Sequence, residues 1–536
     1  MRKILLNPIL LFFVCAILLQ HSTVAQIANI QVLDHNNVSC ILSDEGGFFN
    51  NTPAGIGGYE IPKGDSIRSI FAGSFMIGAQ DPVGQVYFSG RTYSFGGNQS
   101  SFHSGPIADP FFYGTISYTS AYQNALWKVS AAEIEAHQLN FQNPGYIVPN
   151  SILKWPGNGD ATMGVAHQLA PFIDLNLNGI YEPILGDYPD IRGDEAVYII
   201  MNDESYQPDG NQLRVELHVM FYQFSTGNYL NNTTFMNVKA INRSSINYQN
   251  YHQGIYIDYD IGNAFDDYIG CSPEKNMIFA YNGDNFDESE GGMKGYGTNP
   301  PSQALVSLSH PLKSGLVNNQ NAGSFAPYGD TSMWLLMNSM WVDTTPWVNP
   351  LTNAVTDFIL PDNPNSANGW SEVALGNPSG DRRGMITIFE PSFRPGTSIC
   401  SDYAFIYSRV GAHLQNVQDV WNIAGSLQAL YNASEAFPCK GSSTAAVPVI
   451  QEEEFLRIFP NPTSEILTIQ TTLTPPYSIQ ILNAMGKLVL QQKVENSPTI
   501  QLNLDGISSG SYILKIENAQ QILTQKLLIS TNSDDQ

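Results

Sequence analysis

Charge is scarce in this 536-residue sequence: Asp, Glu, Lys and Arg together make up 13% of it. Cations are scarcer still, 24 Lys and Arg against 48 Asp and Glu, for a net charge of −24. A surface that neutralises phosphates needs clustered basic side chains, so nucleic acid is excluded as a partner. Cysteine is rare, five in all, and no C-x-x-C is present. That removes zinc ribbons and thioredoxin-like sites. No H-E-x-x-H, Walker loop or Rossmann fingerprint occurs, which removes zincins and the common nucleotide-binding folds. Beyond the first 25 residues no apolar run reaches 18 residues, so no transmembrane span is expected in the mature chain.

What is present is an N-terminal export signal. Arg2 and Lys3 precede an apolar run from Ile9 to Leu19, and Thr23-Val24-Ala25 forms a small-residue cleavage pattern before Gln26. Residues 1–25 therefore read as a signal peptide. Its removal leaves Cys40, Cys271, Cys400 and Cys439. Four cysteines in an exported chain permit two disulfides in three connectivities, and spacing alone does not choose among them. Cys400 and Cys439 are the closest pair in sequence. With 43% hydrophobic residues the chain can bury a large core.

Residues 441–454, GSSTAAVPVIQEEE, have the small, Pro-containing composition of a linker. Between residues 455 and 530 there are five Lys or Arg and four Asp or Glu, so the acidity belongs to the region before the linker. Strand-like runs recur between residues 455 and 530, among them Ile466–Ile469, Tyr477–Leu482, Ile500–Leu504 and Ser511–Ile516. Turn residues separate them, as in a small β-sandwich.

The motifs in this tail are Phe459-Pro460-Asn461-Pro462, Met485-Gly486-Lys487, Ser509-Gly510-Ser511-Tyr512-Ile513-Leu514-Lys515-Ile516 and Gln525-Lys526-Leu527-Leu528-Ile529. In order and spacing they resemble the type A C-terminal sorting domain of the Bacteroidetes type IX secretion system, with residues 531–536 as an extra tail. The resemblance implies passage through the periplasm and delivery to the outer cell surface or the medium. It implies the type IX translocon and its sortase as partners, with surface lipopolysaccharide as an attachment point. It places the sorting motif on Pro460, Asn461, Pro462, Gly486, Gly510, Tyr512 and Lys526.

The region 26–440 also reads as β-rich, and it is open to division into two subdomains. Ser69–Ala72, Ala196–Ile200, Val215–Tyr222 and Tyr403–Tyr407 are strand candidates. Ser130-Ala131-Ala132-Glu133 is a capping box opening a helix to about Phe141. Leu414, Val417, Trp421, Ala424, Leu427 and Tyr431 fall at helical spacing, with Trp421 expected in the core. Through Asp174–Pro183 with Gly186-Asp187-Tyr188-Pro189, and Asp258–Gly262 with Asp266-Asp267-Tyr268, this region resembles an exported family of unassigned activity.

Two acidic motifs are candidates for chemistry. In Asp174-Leu175-Asn176-Leu177-Asn178-Gly179-Ile180-Tyr181-Glu182, oxygen side chains stand at positions 1, 3 and 5 before a glycine, and Ile180 offers a carbonyl at position 7. This is how a loop wraps a hard cation. Position 12 is Leu185, which excludes an EF-hand; Asp187 or Asp190 would close a looser calcium loop. The competing reading is an Asx-turn loop held by its own hydrogen bonds. In the second motif Asp258 and Asp260 share one face of a strand, near Asp266, Asp267, Asp284, Asp287, Glu288 and Glu290. This cluster suits calcium, a solvated acidic loop or an acid–base carboxylate pair. Glu216 and His218 also share a strand face, which is more often structural, and Arg192-Gly193-Asp194 reads as coincidence.

The expected molecule is mainly β: a large β-rich passenger with a few helices, then an immunoglobulin-like sandwich. Its expected role is calcium-supported binding or adhesion, with glycans as candidate ligands. The alternative is a secreted polysaccharide hydrolase using paired carboxylates.

Overall fold

A computed structural model describes residues 30–51, 55–90, 102–122, 124–204, 212–318, 329–434, 437–441, 456–471, 473, 475–483, 487–495, 499–518 and 522–530. The signal segment, most of the linker, Gly486 and the final tail lie outside the described residues. The chain divides into two compact units, residues 1–442 and 443–536.

The first unit is built on two nine-stranded sheets. In one, the long strands Arg68–Gln80, Tyr248–Tyr259 and Arg382–Phe393 pair side by side. In the other, Glu195–Asn202, Val215–Gln223, Thr234–Asn242 and Ser398–Ser408 form the centre. These central pairings are antiparallel. All nine residues of Val215–Gln223 are buried, and the alternation of side chains explains how. Val215, Leu217, Val219 and Phe221 enter the core shared with the first sheet, where Phe48 lies 5.5 Å from Phe221. Met220 and Tyr222 point the other way into a second core.

That second core is covered by helices. The capping box at Ser130 forms, with Glu133 reaching back to the Ser130 backbone, and it starts the helix Ala131–Asn140. The helix His413–Ala433 lies over the second sheet with Val417, Val420, Trp421, Ala424 and Leu427 buried. Trp421 packs edge-on against Phe279 with ring centroids 4.6 Å apart, so it is a core residue as its spacing predicts. Cys400 and Cys439 form a disulfide with Cα atoms 5.5 Å apart, while Cys40 and Cys271 are buried free thiols.

The second unit pairs a three-stranded sheet with a four-stranded sheet around Leu467, Ile469, Ile479, Ile481, Leu514, Ile516 and Leu527. Alternation puts these residues inward and leaves Ile466, Leu488 and Ile513 exposed.

Candidate functional site

The short strands Phe172–Ile173 and Tyr188–Pro189 pair and close the acidic loop 174–187 at its base. Asp174 organises the first turn: Oδ1 accepts from the Leu177 N–H (2.7 Å) and Oδ2 from the Gly179 N–H (2.6 Å). Asn176 Oδ1 accepts from Asn178 N–H and Asn178 Oδ1 from Ile180 N–H. These successive Asx turns require left-handed backbone at Leu177 (φ 58°) and Gly179 (φ 78°). Glycine adopts that conformation freely, whereas leucine is strained in it. Both Asn side chains donate to the same oxygen of Glu182, at 3.2 and 2.6 Å. Positions 1, 3, 5 and 9 thus form one compact polar loop. Asp187 is fully buried, and its oxygens accept from the Leu175 and Glu182 N–H groups. It ties the two halves of the loop together. Ile180 follows the glycine with an exposed side chain. Each oxygen that accepts one N–H keeps a second lone pair, and the loop is held by its own hydrogen bonds, as the Asx-turn reading expects.

Asp258 and Asp260 stand at the end of the Tyr248–Tyr259 strand. Asp258 lies within the strand and Asp260 one residue past its end. Antiparallel pairing brings Arg383 opposite Asp258 and carries Asp381 beside them. One oxygen each from Asp258, Asp260 and Asp381 lies within 4.8 Å of the others. Arg383 bridges two of the three: its Nε is 3.2 Å from Asp258 Oδ1 and its Nη2 2.9 Å from Asp381 Oδ2. Burial, then Asp258 and Asp381, pushes the Asp260 carboxyl well above its ordinary range. Asp381 and Arg383 lie more than 120 residues away in sequence, and nothing in the local pattern around Asp258 points to them.

The remaining acidic residues of that cluster serve the loops. Asp267 Oδ2 accepts from Ile261 N–H (2.9 Å). Asp287 accepts from Asn263 N–H and Tyr296 N–H. Burial, then Asp287 and Glu288, raises the Asp266 carboxyl to about 7. Asp284, Glu288 and Glu290 are exposed. The Arg192-Gly193-Asp194 triplet is a structural turn: Arg192 pairs with Asp190, and Asp194 Oδ2 accepts from Ser225 N–H.

In the second unit, Asn461 clamps the last strand. Its Nδ2 donates to Lys526 O (2.9 Å) and its Oδ1 accepts from Leu528 N–H (2.7 Å). Thr463 continues the contact through Leu528 O and Ser530 N–H. Asn461 thus occupies the turn between the flanking residues Pro460 and Pro462. The Tyr512 hydroxyl donates to Ser508 O (2.7 Å), bracing the turn before Gly510. Lys526 is exposed on the final strand. Gly506-Ile507-Ser508-Ser509-Gly510 spells G-x-S-x-G, but it connects two strands of this sandwich and is not the strand-to-helix elbow of a hydrolase.

Residues 457–530 match the family described as the secretion system C-terminal sorting domain. This is a cargo protein of the type IX secretion system. The sorting domain directs the cargo to the cell surface or the extracellular space and engages the secretion machinery. Among the described residues, no helix is long and apolar enough to cross a membrane. No curated protein sequence matches the cargo. Solved structures similar to it include a polysaccharide lyase (7% identity, 68% of this chain, TM-score 0.20). They also include a putative aldose 1-epimerase from Escherichia coli K12 (10% identity, 71% of this chain and 99% of the other, TM-score 0.25). The cargo spans 37% of the lyase's length. Likeness at these TM-scores carries no information about activity.

Proposed function

We propose that the passenger of this cargo protein is a calcium-supported binding protein, adhesive in role, held at the cell surface or released from it. The observation that carries the reading is the convergence of Asp174, Asn176, Asn178 and Glu182 in one loop fastened by buried Asp187. An ion in that loop holds its backbone in a single conformation. Asp258 and Asp260 form a second candidate position, where Arg383 already neutralises part of the charge. The same arginine weakens the hydrolase alternative, because it commits Asp258 to an ion pair. On export, the sortase removes the sorting domain, and surface lipopolysaccharide is the anchor for the portion that stays attached.

The test is thermal unfolding of the exported protein with calcium and with EDTA. A ligand bound only to the native state adds stability. The expected result is a lower melting temperature in EDTA, restored by calcium, and a smaller response in Asp174→Ala. Identical melting with and without chelator would remove calcium from the account.

A further inference from the structure

The helical cover over the second sheet has a gap. Between the segment around Gln168–Phe172 and the start of the Ser398–Ser408 strand, a cavity of about 540 Å³ opens onto the central strands. That volume falls in the range of small-molecule sites, roughly 300–1,000 Å³. In a protein with twice as many acidic as basic residues, this cavity is lined by three cations: Arg192, Lys239 and Arg243.

Two of the three already have a carboxylate partner. Arg192 Nη1 lies 2.5 Å from Asp190 Oδ1, and Arg243 Nη2 lies 2.7 Å from Glu216 Oε1. Lys239 differs. It is the one exposed position on an otherwise buried strand, Thr234–Asn242, and it is exposed into the cavity. Among the described residues no carboxylate lies within ion-pair distance of it, and its amino group makes no hydrogen bond. The surrounding protein, then Arg243, pushes its pKa down. The charge of Glu216 pulls the other way, but that carboxylate is already paired with Arg243. An ammonium beside a guanidinium without a carboxylate of its own is unfavourable in the free protein, and an anionic ligand relieves that cost. The floor beneath it is fixed: Lys239 pairs across the ladder with Cys400, which is disulfide-bonded to Cys439.

The charge count sets the valence of the ligand. Asp174 and Asp190 also line the cavity, so three cations and two carboxylates leave its lining a net charge of +1, which a single negative charge balances and a dianionic phosphate overshoots. The wall offers the polar groups Gln168 and Ser398 beside the apolar Phe172 and Met220, a mixture suited to the hydroxyls and apolar face of a sugar ring. We propose that this cavity binds a monoanionic sugar, with its carboxylate or sulfate on Lys239. The proposal deepens the binding-protein reading by naming site and ligand class, and it rests on Lys239 rather than on an ion at Asp174.

Titration calorimetry of the exported protein tests it. The probes are glucuronate, N-acetylglucosamine 6-sulfate, methyl glucoside, acetate and inorganic phosphate. The expected result is binding of glucuronate, the sulfated sugar or both, weakened about tenfold or more in Lys239→Gln and largely kept in Lys239→Arg, as a charge-assisted hydrogen bond requires. Preference between the two sugars identifies the anionic group. Equal binding of methyl glucoside, equal binding of acetate, tighter binding of phosphate, an unaffected Lys239→Gln variant, or no binding of any sugar probe would each overturn the proposal. Repeating the titration in EDTA separates the two readings. Lys239-dependent binding in a protein whose melting ignores chelator removes calcium and keeps this site. A chelator-sensitive protein that binds no probe does the reverse.

Discussion

His218 Nε2 and Glu216 Oε1 stand 2.8 Å apart on one face of the Val215–Gln223 strand, with side chains 2% and 0% exposed. The pair is part of a chain. The Tyr198 hydroxyl lies 2.7 Å from His218 Nδ1, and Arg243 closes the other end on Glu216 Oε1. Glu216 Oε2 also accepts from the Ile107 N–H (2.7 Å), joining the cover segment to the sheet. Burial opposes the Glu216 charge, but the hydrogen bond and charge of His218, with Arg243, outweigh it and hold the carboxyl down at about 2. Removing one partner of such a buried set leaves the others uncompensated, at a cost of about 3–5 kcal/mol. Glu216→Gln is expected to lower unfolding free energy by that order in urea titrations; a change below about 1 kcal/mol contradicts this account.

Stability is expected to peak in mild acid. Asp203, Asp287 and Asp402 have their carboxyls raised to about 6, each mainly by burial. Their folded forms hold the proton more tightly than the unfolded chain does. Their contribution is therefore full below the unfolded carboxylate range and is lost as pH rises through about 6. Glu216 has the opposite sign: its contribution is present above the unfolded value and is lost as pH falls toward about 2. In calcium-free buffer, melting at pH 8 should lie about 5 °C or more below melting at pH 5, with a decline again below pH 4. A curve rising steadily from pH 5 to pH 8 would refute these assignments.

The disulfide closes a separation of 39 residues and fastens the end of the passenger to the sheet. Asp402 sits against it, accepting from Asn237 Nδ2 (2.8 Å) and from the Cys439 N–H (3.1 Å). Replacing both cysteines by alanine should cost about 2–4 kcal/mol through the freed unfolded chain. Burial pushes the Cys40 and Cys271 thiols far up. Alkylation of the native, unreduced protein should therefore label neither, and mass spectrometry after iodoacetamide treatment reads this directly.

Deleting residues 455–536 should leave the passenger folded and trapped in the periplasm. Asn461→Ala should loosen the final strand and slow export, because it removes both bonds that hold Lys526 and Leu528. Fractionation with an antibody to the passenger measures both. Normal surface delivery of the truncated chain would remove the sorting role.

The sorting domain was almost fully legible in the sequence, because its motifs, turns and alternating strands are local. The two longer helices were legible for the same reason: a capping box and a 3.6-residue apolar stripe each lie within about 20 residues. The loop from Asp174 to Glu182 showed its Asx geometry in its spacing. The partnership of Asp258 with Asp381 and Arg383 did not show, since it depends on which distant strand pairs with Tyr248–Tyr259. The Glu216–His218 pair was visible as two residues on one face, but its partners are Tyr198 on one neighbouring strand and Arg243 just past the end of the other.

The sequence by itself determined the export route, the β-rich class and the position of the sorting sandwich, since each is encoded by contiguous residues and short-range periodicity. Only the tertiary structure decided which cysteines join, which carboxylates meet an arginine, and where a lysine is left facing a cavity. Those outcomes follow from strand order and register across hundreds of residues, where side-chain chemistry is set by neighbours that the linear pattern does not name.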